Sequence, residues 1–191
     1  LAGSVGVGCR ILPATNDPVR TMVGLADGSW LTFQDYFVRR RHRDPVAKLD
    51  YVGAAKSRPA PGVLEAIAAA DLLVVAPSNP PLSIWPILEI PGIRSAVRDA
   101  GKVVAVSPLF GGKALKGPAE QVMASLGLPP GTPGVLAAYD GLLAVLVVDQ
   151  ADATDEGLST PSTRVVAHDT RMAEPARGRA FAAWLLDTMA P

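Results

Sequence analysis

The stretch Ser107-Pro108-Leu109-Phe110-Gly111-Gly112-Lys113-Ala114-Leu115-Lys116-Gly117-Pro118 constrains the fold of this chain more than any other. Before it stands Val103-Val104-Ala105-Val106, a short β-branched run suited to a strand buried on both faces, and Pro118 suits the first turn of a helix reaching about Leu126. Strand, glycine-rich loop and helix in that order belong to a parallel sheet, with the loop at the carboxyl end of its strand. Ligands of open α/β sheets bind at that edge; glycines let backbone N–H groups approach an anion there, and lysines neutralise it. The residues therefore predict a phosphate or diphosphate site, against the competing reading of a surface loop whose lysines are merely solvated. A Walker A loop is excluded, because Gly112-Lys113 is followed by Ala114 where Ser or Thr is needed.

A second segment has the same logic. Asp71-Leu72-Leu73-Val74-Val75-Ala76 reads as a strand that delivers Pro77-Ser78-Asn79-Pro80-Pro81-Leu82-Ser83-Ile84 at its end. Ser78, Asn79 and Ser83 offer hydroxyl and amide groups to ligand oxygens, although Ser, Asn and Pro are also ordinary turn formers. Leu82–Ile90 has helical spacing, kinked or divided at Pro86.

The rest of the chain supplies an α/β order. Cys9–Leu12 reads as a strand end, Thr21–Ala26 and Ser29–Phe33 as a hairpin about Asp27-Gly28, and Leu49–Val52 as a further strand. Pro61–Ala70 and Gly92–Ala100 read as helices, the second bracketed by Pro91 and Gly101. Pro129–Gly134 reads as a rigid turn-rich connector. Strands are expected at Leu142–Val148 and Arg164–Ala167, and a closing helix from about Glu174 to Met189. The expected fold is a single α/β domain over residues 1–191, Rossmann-like and three-layered, with a mostly parallel sheet between helices and a β-hairpin near the N-terminus.

Composition excludes several classes. Eighteen basic and eighteen acidic residues balance, which argues against nucleic acid or anionic membrane as a partner. The apolar run near Leu142–Val148 falls short of the roughly 20 residues that span a bilayer, and a cytoplasmic location is expected. Cys9, the single cysteine, reads as a small buried hydrophobe. His42 and His168 belong to no Cys/His cluster, so a zinc site or a Ser-His hydrolase is disfavoured. Gly3, Gly6 and Gly8 have the wrong spacing for a dinucleotide fingerprint. Arg39–Arg43 reads as a solvated or interface face, and Asp149, Asp152 and Asp155 as a solvated acidic loop.

Taken in order, Ile11-Leu12-Pro13-Ala14-Thr15-Asn16-Asp17-Pro18-Val19-Arg20-Thr21, Phe33–Arg39, Pro77-Ser78-Asn79-Pro80, Pro91-Gly92-Ile93-Arg94, the Ser107–Gly117 loop, Tyr139-Asp140-Gly141 and Val148-Asp149 resemble the 2-phospho-L-lactate transferase family, CofD, called FbiA in actinobacteria. The series spans nearly the whole chain. Family members open with a Gly-rich Rossmann-type segment and an Asp-bearing segment associated with metal and deazaflavin binding. Neither is matched here, so the resemblance implies the C-terminal portion of a longer transferase, with the N-terminal part of the fold missing and the fragment inactive by itself.

What the resemblance implies chemically is a transferase of coenzyme F-420 biosynthesis. It would move a phosphorylated lactyl, enolpyruvyl or glyceryl acid from a guanosine-diphosphate-linked donor to the deazaflavin FO, releasing GMP. Magnesium is the implied cofactor, with ligands expected outside this sequence, and a homodimer is the expected assembly. The substrate-binding candidates are Asp17, Thr21, Ser78, Asn79, Pro80, Ser83, Ser107, Gly111, Gly112, Lys113, Lys116 and Gly117. Of these, Lys113 and Lys116 would neutralise the diphosphate, whereas Asp17 competes with an Asx-type turn enforced by Pro18. No catalytic residue is assigned. The alternative is a non-enzymatic regulator of the gluconeogenesis-factor type that binds a uridine diphosphate sugar.

Overall fold

A computed structural model describes residues 8–114 and 117–189. Strands β1 (Arg20–Leu25), β2 (Trp30–Thr32) and β3 (Val46–Val52) form an antiparallel sheet of order β2-β1-β3. The Asp27-Gly28 turn between β1 and β2 is closed by Leu25 N donating to Ser29 O at 2.9 Å. Asp27 accepts from the Ser29 hydroxyl at 2.6 Å and from its N–H at 2.9 Å, which holds its carboxyl below the usual range.

After α1 (Val63–Ala68) the chain enters the parallel sheet as β4 (Leu73–Val75), then passes through α2 (Trp85–Leu88) and α3 (Ile93–Ala100) to β5 (Val103–Val106). A small hairpin, β6 (Leu109–Phe110) with β7 (Lys113–Ala114), precedes α4 (Ala119–Ser125) and α5 (Thr132–Tyr139). Strands β8 (Val145–Asp149) and β9 (Arg164–His168) and helix α6 (Pro175–Met189) complete the order. Strands β4-β5-β8-β9 lie side by side, all parallel, with Ala105 opposite Leu146 and Leu146 opposite Val165.

Residue alternation along these strands builds the three layers. Val103, Ala105, Leu146 and Val148 pack with Ala119, Met123, Val135 and Ala138 of α4 and α5. Their neighbours Val104, Val106, Val145 and Val147 turn to the other face and pack with Phe181 and Leu185 of α6. Both faces of β5 and β8 are thus covered, which is why these strands are continuous apolar runs instead of alternating ones. The antiparallel sheet packs through Val23, Leu25 and Val46 against Tyr36, Leu82 and Val122, joining it to the helical turn after β4 and to α4. The architecture is the α/β class the sequence implies, with the hairpin where the DG dipeptide places it.

Several local expectations fail. Cys9–Leu12 forms no strand; Ile11 is 67% exposed, Cys9 is exposed rather than buried, and pairing in this region is a single bridge from Thr15 to Pro59. Residues 129–134 are not only a connector, because α5 begins at Thr132 with Pro133 in its first turn. Gly134 makes that possible: a Cβ there would collide with the Pro129 carbonyl oxygen, so only glycine lets the helix fold back on its own approach. The segment read as a solvated acidic loop is a helical stretch, Gln150–Leu158, in which Asp152 is buried, as is Asp149 before it. The helical spacing of Leu82–Ile90 is realised as two pieces, a turn at Pro80–Ile84 and then α2 with Pro86 in its first turn.

Candidate functional site

The carboxyl ends of β4, β5 and β9 open onto one cleft of about 600 Å³. One wall is the loop after β4, with Ser78, Asn79 and Ser83; another is the segment after β9, with Thr170 and Arg171. Pro108 and Phe110 after β5, Gly117 and the start of α4 form the floor between them, and Phe33 and Phe37 close the side nearest the antiparallel sheet. The two phenyl rings stack with centroids 5.4 Å apart at 26° to each other, making this side of the cleft aromatic and apolar. Such a volume lies in the range of small-molecule sites.

The β4 wall is built by prolines and a cap. Asn79 precedes Pro80 at the start of the helical turn, and its Oδ1 accepts from Leu82 N at 3.3 Å, satisfying one of the turn's free N–H groups. The other end of that amide, Nδ2, is buried without a hydrogen-bond partner among the described residues. An unsatisfied buried donor is costly and weakens the wall that carries it. The wall is pinned from behind by two neutral bonds: the Tyr51 hydroxyl donates to Pro81 O, and Trp85 Nε1 donates to Ala138 O at 2.7 Å. Burial, with Glu89 adding to it, raises the Tyr51 phenol above the ordinary tyrosine value, so it stays protonated and able to donate.

The β9 wall is held by a carboxylate. Asp149 ends β8 and is 3% exposed; its Oδ2 accepts from Thr170 N at 3.3 Å and Thr170 Oγ1 at 3.2 Å, while Oδ1 accepts from Ala151 N at 3.0 Å. Arg171 Nη2 lies 4.0 Å from the same Oδ1, and the guanidinium sits 6.0 Å over the Phe110 ring. Arg171 N donates to Asp169 Oδ1 at 3.1 Å, fixing the backbone. Among the described residues Arg171 is the one charged side chain lining the cleft.

The sequence-derived candidates divide accordingly. Ser78, Asn79, Ser83 and Gly117 line the cleft, and Pro80 lies buried beneath its wall. Ser107 is 1% exposed and shapes the loop, its N–H donating to Val147 O at 2.8 Å and its Oγ accepting from Leu109 N at 3.2 Å. Gly111 and Gly112, at φ 60° and 74°, are the two left-handed residues of the β6–β7 turn, as a two-residue hairpin with this twist requires. Gly111 N donates to the buried Asp152 carboxylate at 2.9 Å, and Ala114 N to Glu120 Oε2 at 2.7 Å. Lys113 is exposed and borders a separate groove with Glu120, Gln121 and Pro129–Gly131. Thr21 lines a neighbouring groove that shares Phe33 and Leu82 with the cleft. Asp17 lies outside both, its Oδ2 accepting from Arg58 N at 2.8 Å, a latch between two loops. Lys116 lies outside the described residues.

Sequence reasoning missed Thr170, Arg171 and Asp149 as a unit. The available signal was positional: Asp169-Thr170-Arg171 follows a short apolar strand just as Pro77-Ser78-Asn79 does. Among the described residues no group of three or more His, Cys, Asp or Glu converges. No described helix is long and apolar enough to cross a membrane.

Comparison with known proteins gives this geometry a context. The family model described as 2-phospho-L-lactate transferase CofD matches residues 1–184. A phosphoenolpyruvate transferase of Streptomyces coelicolor is 44% identical over 76% of this chain and 47% of its own length. A 2-phospho-L-lactate transferase of Methanosarcina acetivorans is 36% identical over 97% of this chain and 60% of its own. The chain thus spans about half the length of the curated relatives it matches. Among solved structures, a UPF0052-family protein of Bacillus halodurans shares the fold, with a TM-score of 0.58 and 16% identity over 88% of this chain and 57% of that one. With the family model matching residues 1–184, the chain belongs to the CofD 2-phospho-L-lactate transferase family.

Proposed function

We propose that the cleft binds the donor of a transferase acting in coenzyme F-420 biosynthesis. The donor is a guanosine-diphosphate-linked three-carbon acid, and the acceptor is the primary alcohol of the deazaflavin FO. The alcohol oxygen attacks the phosphorus that carries the acid, the bond from that phosphorus to the bridging oxygen breaks, GMP departs with that oxygen and the bond's electron pair, and the alcohol proton passes to water. Such a step gains most from alignment of the two reactants and from charge placed near the phosphoryl oxygens.

The observation that carries this reading is the cleft at the carboxyl edge of a parallel sheet, lined by Ser78, Asn79 and Ser83, in a family whose relatives are named as transferases of phospholactate and phosphoenolpyruvate. Asn79, Ser78 and Ser83 supply hydrogen bonds to the donor, and the Phe33–Phe37 face receives a planar ring. In this reading Gly111 and Gly112 shape the loop after β5, Lys116 adds positive charge to that loop, and Lys113 stands on the neighbouring groove instead of meeting the donor. Magnesium ligands belong outside the described residues, and the enzyme acts as a cytoplasmic homodimer.

The test is an assay of the full-length protein with FO, magnesium and lactyl, enolpyruvyl and glyceryl donors, with the product followed by chromatography. Transfer from one donor class is expected. The 191-residue chain by itself is expected to give no product, because donor, acceptor and metal must be held together. Calorimetric titration with guanosine and uridine diphosphates separates the transferase from a nucleotide-sugar-binding regulator; preference for the uridine ligand would sink the transferase reading.

A further inference from the structure

From the cleft's charge and the way it is held, we infer that Arg171 is the residue that takes the donor's anionic diphosphate, and that the buried Asp149 positions it through Thr170. The inference rests on the donor reading above and deepens it.

Three observations converge. First, the cleft's other lining side chains are apolar or neutral, so an anion bound there meets Arg171 as the one countercharge among the described residues. Second, Arg171 is exposed while the carboxylate behind it is not: the side chains are 55% and 4% accessible, and the closest approach is 4.0 Å. At that separation Asp149 steers the guanidinium without consuming it in a close two-pronged pair, and the fork keeps donors free for phosphate oxygens. Third, Asp149 accepts three other hydrogen bonds, two of them from Thr170, so the residue before Arg171 is clamped to the end of β8. The Phe110 ring beneath the guanidinium limits where it can swing. A cation that is backed by a buried acid, mounted on a rigid strand end and open towards a cleft is arranged for anion recognition. A surface ion pair would need none of that support.

Charge then stands on the β9 wall and neutral donors on the β4 wall. A donor spanning the cleft would set its diphosphate near Arg171 and present its remaining oxygens to Ser78 and Asn79.

The experiment compares guanosine diphosphate with guanosine, by equilibrium titration of the full-length protein and its Arg171→Ala and Arg171→Lys variants. A charge-assisted contact is worth about 1.5–3 kcal/mol, so Arg171→Ala is expected to lose roughly 10- to 100-fold in affinity for the diphosphate while guanosine binding stays unchanged. Arg171→Lys, which keeps the charge but not the fork, is expected to fall between. Asp149→Asn tests positioning: in the transfer assay it should raise the donor KM with little change in the FO KM or in kcat, a split that general loosening of the fold would not produce. Thermal melting identifies any variant that fails to fold, and Arg171→Lys then carries the test.

Diphosphate affinity unchanged in Arg171→Ala would overturn the inference, as would an equal loss of diphosphate and guanosine binding. If the wild type transfers nothing to FO yet Arg171→Ala still loses its diphosphate preference, the transferase reading fails and the arginine site stands.

Discussion

The two walls of the cleft are held by opposite means. The β4 wall hangs on neutral donors aimed at backbone carbonyls, Tyr51 to Pro81 and Trp85 to Ala138, and leaves the Asn79 amide nitrogen buried and unpaired among the described residues. The β9 wall hangs on one buried carboxylate that gathers Thr170 and Ala151 and stands behind Arg171. Neutral bonds contribute little net stability each, whereas a buried acid serving several donors is expensive to disturb. The first wall is therefore a presenting surface that tolerates change in its supports, and the second a rigid mount.

The largest effect should come from the mount. Asp149→Ala leaves Thr170 N, Thr170 Oγ1 and Ala151 N without their acceptor and should cost about 3–5 kcal/mol. Denaturant unfolding of the full-length protein measures it, and a loss below about 1 kcal/mol would erase the distinction between the walls.

Tyr51→Phe should cost less, about 1–2 kcal/mol, because it orphans a single carbonyl at Pro81. The same tyrosine sharpens the comparison through pH. Burial raises all three phenols in the chain, Tyr36, Tyr51 and Tyr139, above their ordinary value of 10.0. The unfolded chain therefore releases these protons first as pH rises, so it binds fewer of them than the folded chain, and stability must fall above about pH 10. Below that the three tyrosines contribute no slope. Unfolding free energy measured across the alkaline range in wild type and Tyr51→Phe should show a shallower decline in the variant; identical slopes would mean that Tyr51 ionises as freely folded as unfolded.

Asn79→Ala should alter stability by no more than about 1 kcal/mol, since it removes a cap to Leu82 N but also an unsatisfied donor. Donor KM should nevertheless rise about tenfold. A melting-temperature loss with unchanged KM would make Asn79 a cap only, and the presenting role of the β4 wall would go with it.

These contrasts also mark what could be read in the residue order. The parallel strands were legible because burial on both faces forces continuous apolar runs, as in Val103–Val106, and α3 because Pro91 and Gly101 bracket it. The presenting wall was legible because its polar groups, Ser78 and Asn79, follow a second apolar run, even though Val74 in the middle of β4 is 47% exposed. The mount was not. Asp149 and Asp152 look like solvated acids in sequence, and only the neighbouring strand end, 21 residues on, supplies the donors that make burying Asp149 tolerable. Helix α5 was hidden because Gly134, which weakens a helix by propensity, is required here by the Pro129 carbonyl packed against it. Cys9–Leu12 failed for want of a partner strand, which no local pattern reveals.

Lys113 tests how far the loop logic extends, and should show the smallest effect of the set. In sequence it belongs with the anion-binding glycines, a role worth about 1.5–3 kcal/mol if the side chain meets the diphosphate. In the fold, Gly111 and Gly112 turn the chain so that Lys113 on β7 borders the groove by Glu120 and Gln121 instead of the cleft. The hairpin is tied down in that position by Gly111 N on Asp152 and Ala114 N on Glu120. Lys113→Ala should thus leave melting within about 0.5 kcal/mol of wild type and change the donor KM less than Asn79→Ala does. A tenfold rise in KM with normal melting would show that the hairpin leaves these tethers and folds over the donor. Asp152→Asn, which weakens the Gly111 tether while keeping an acceptor, would then be expected to shift the same KM, in the opposite sense if release of the hairpin is what brings Lys113 to the cleft.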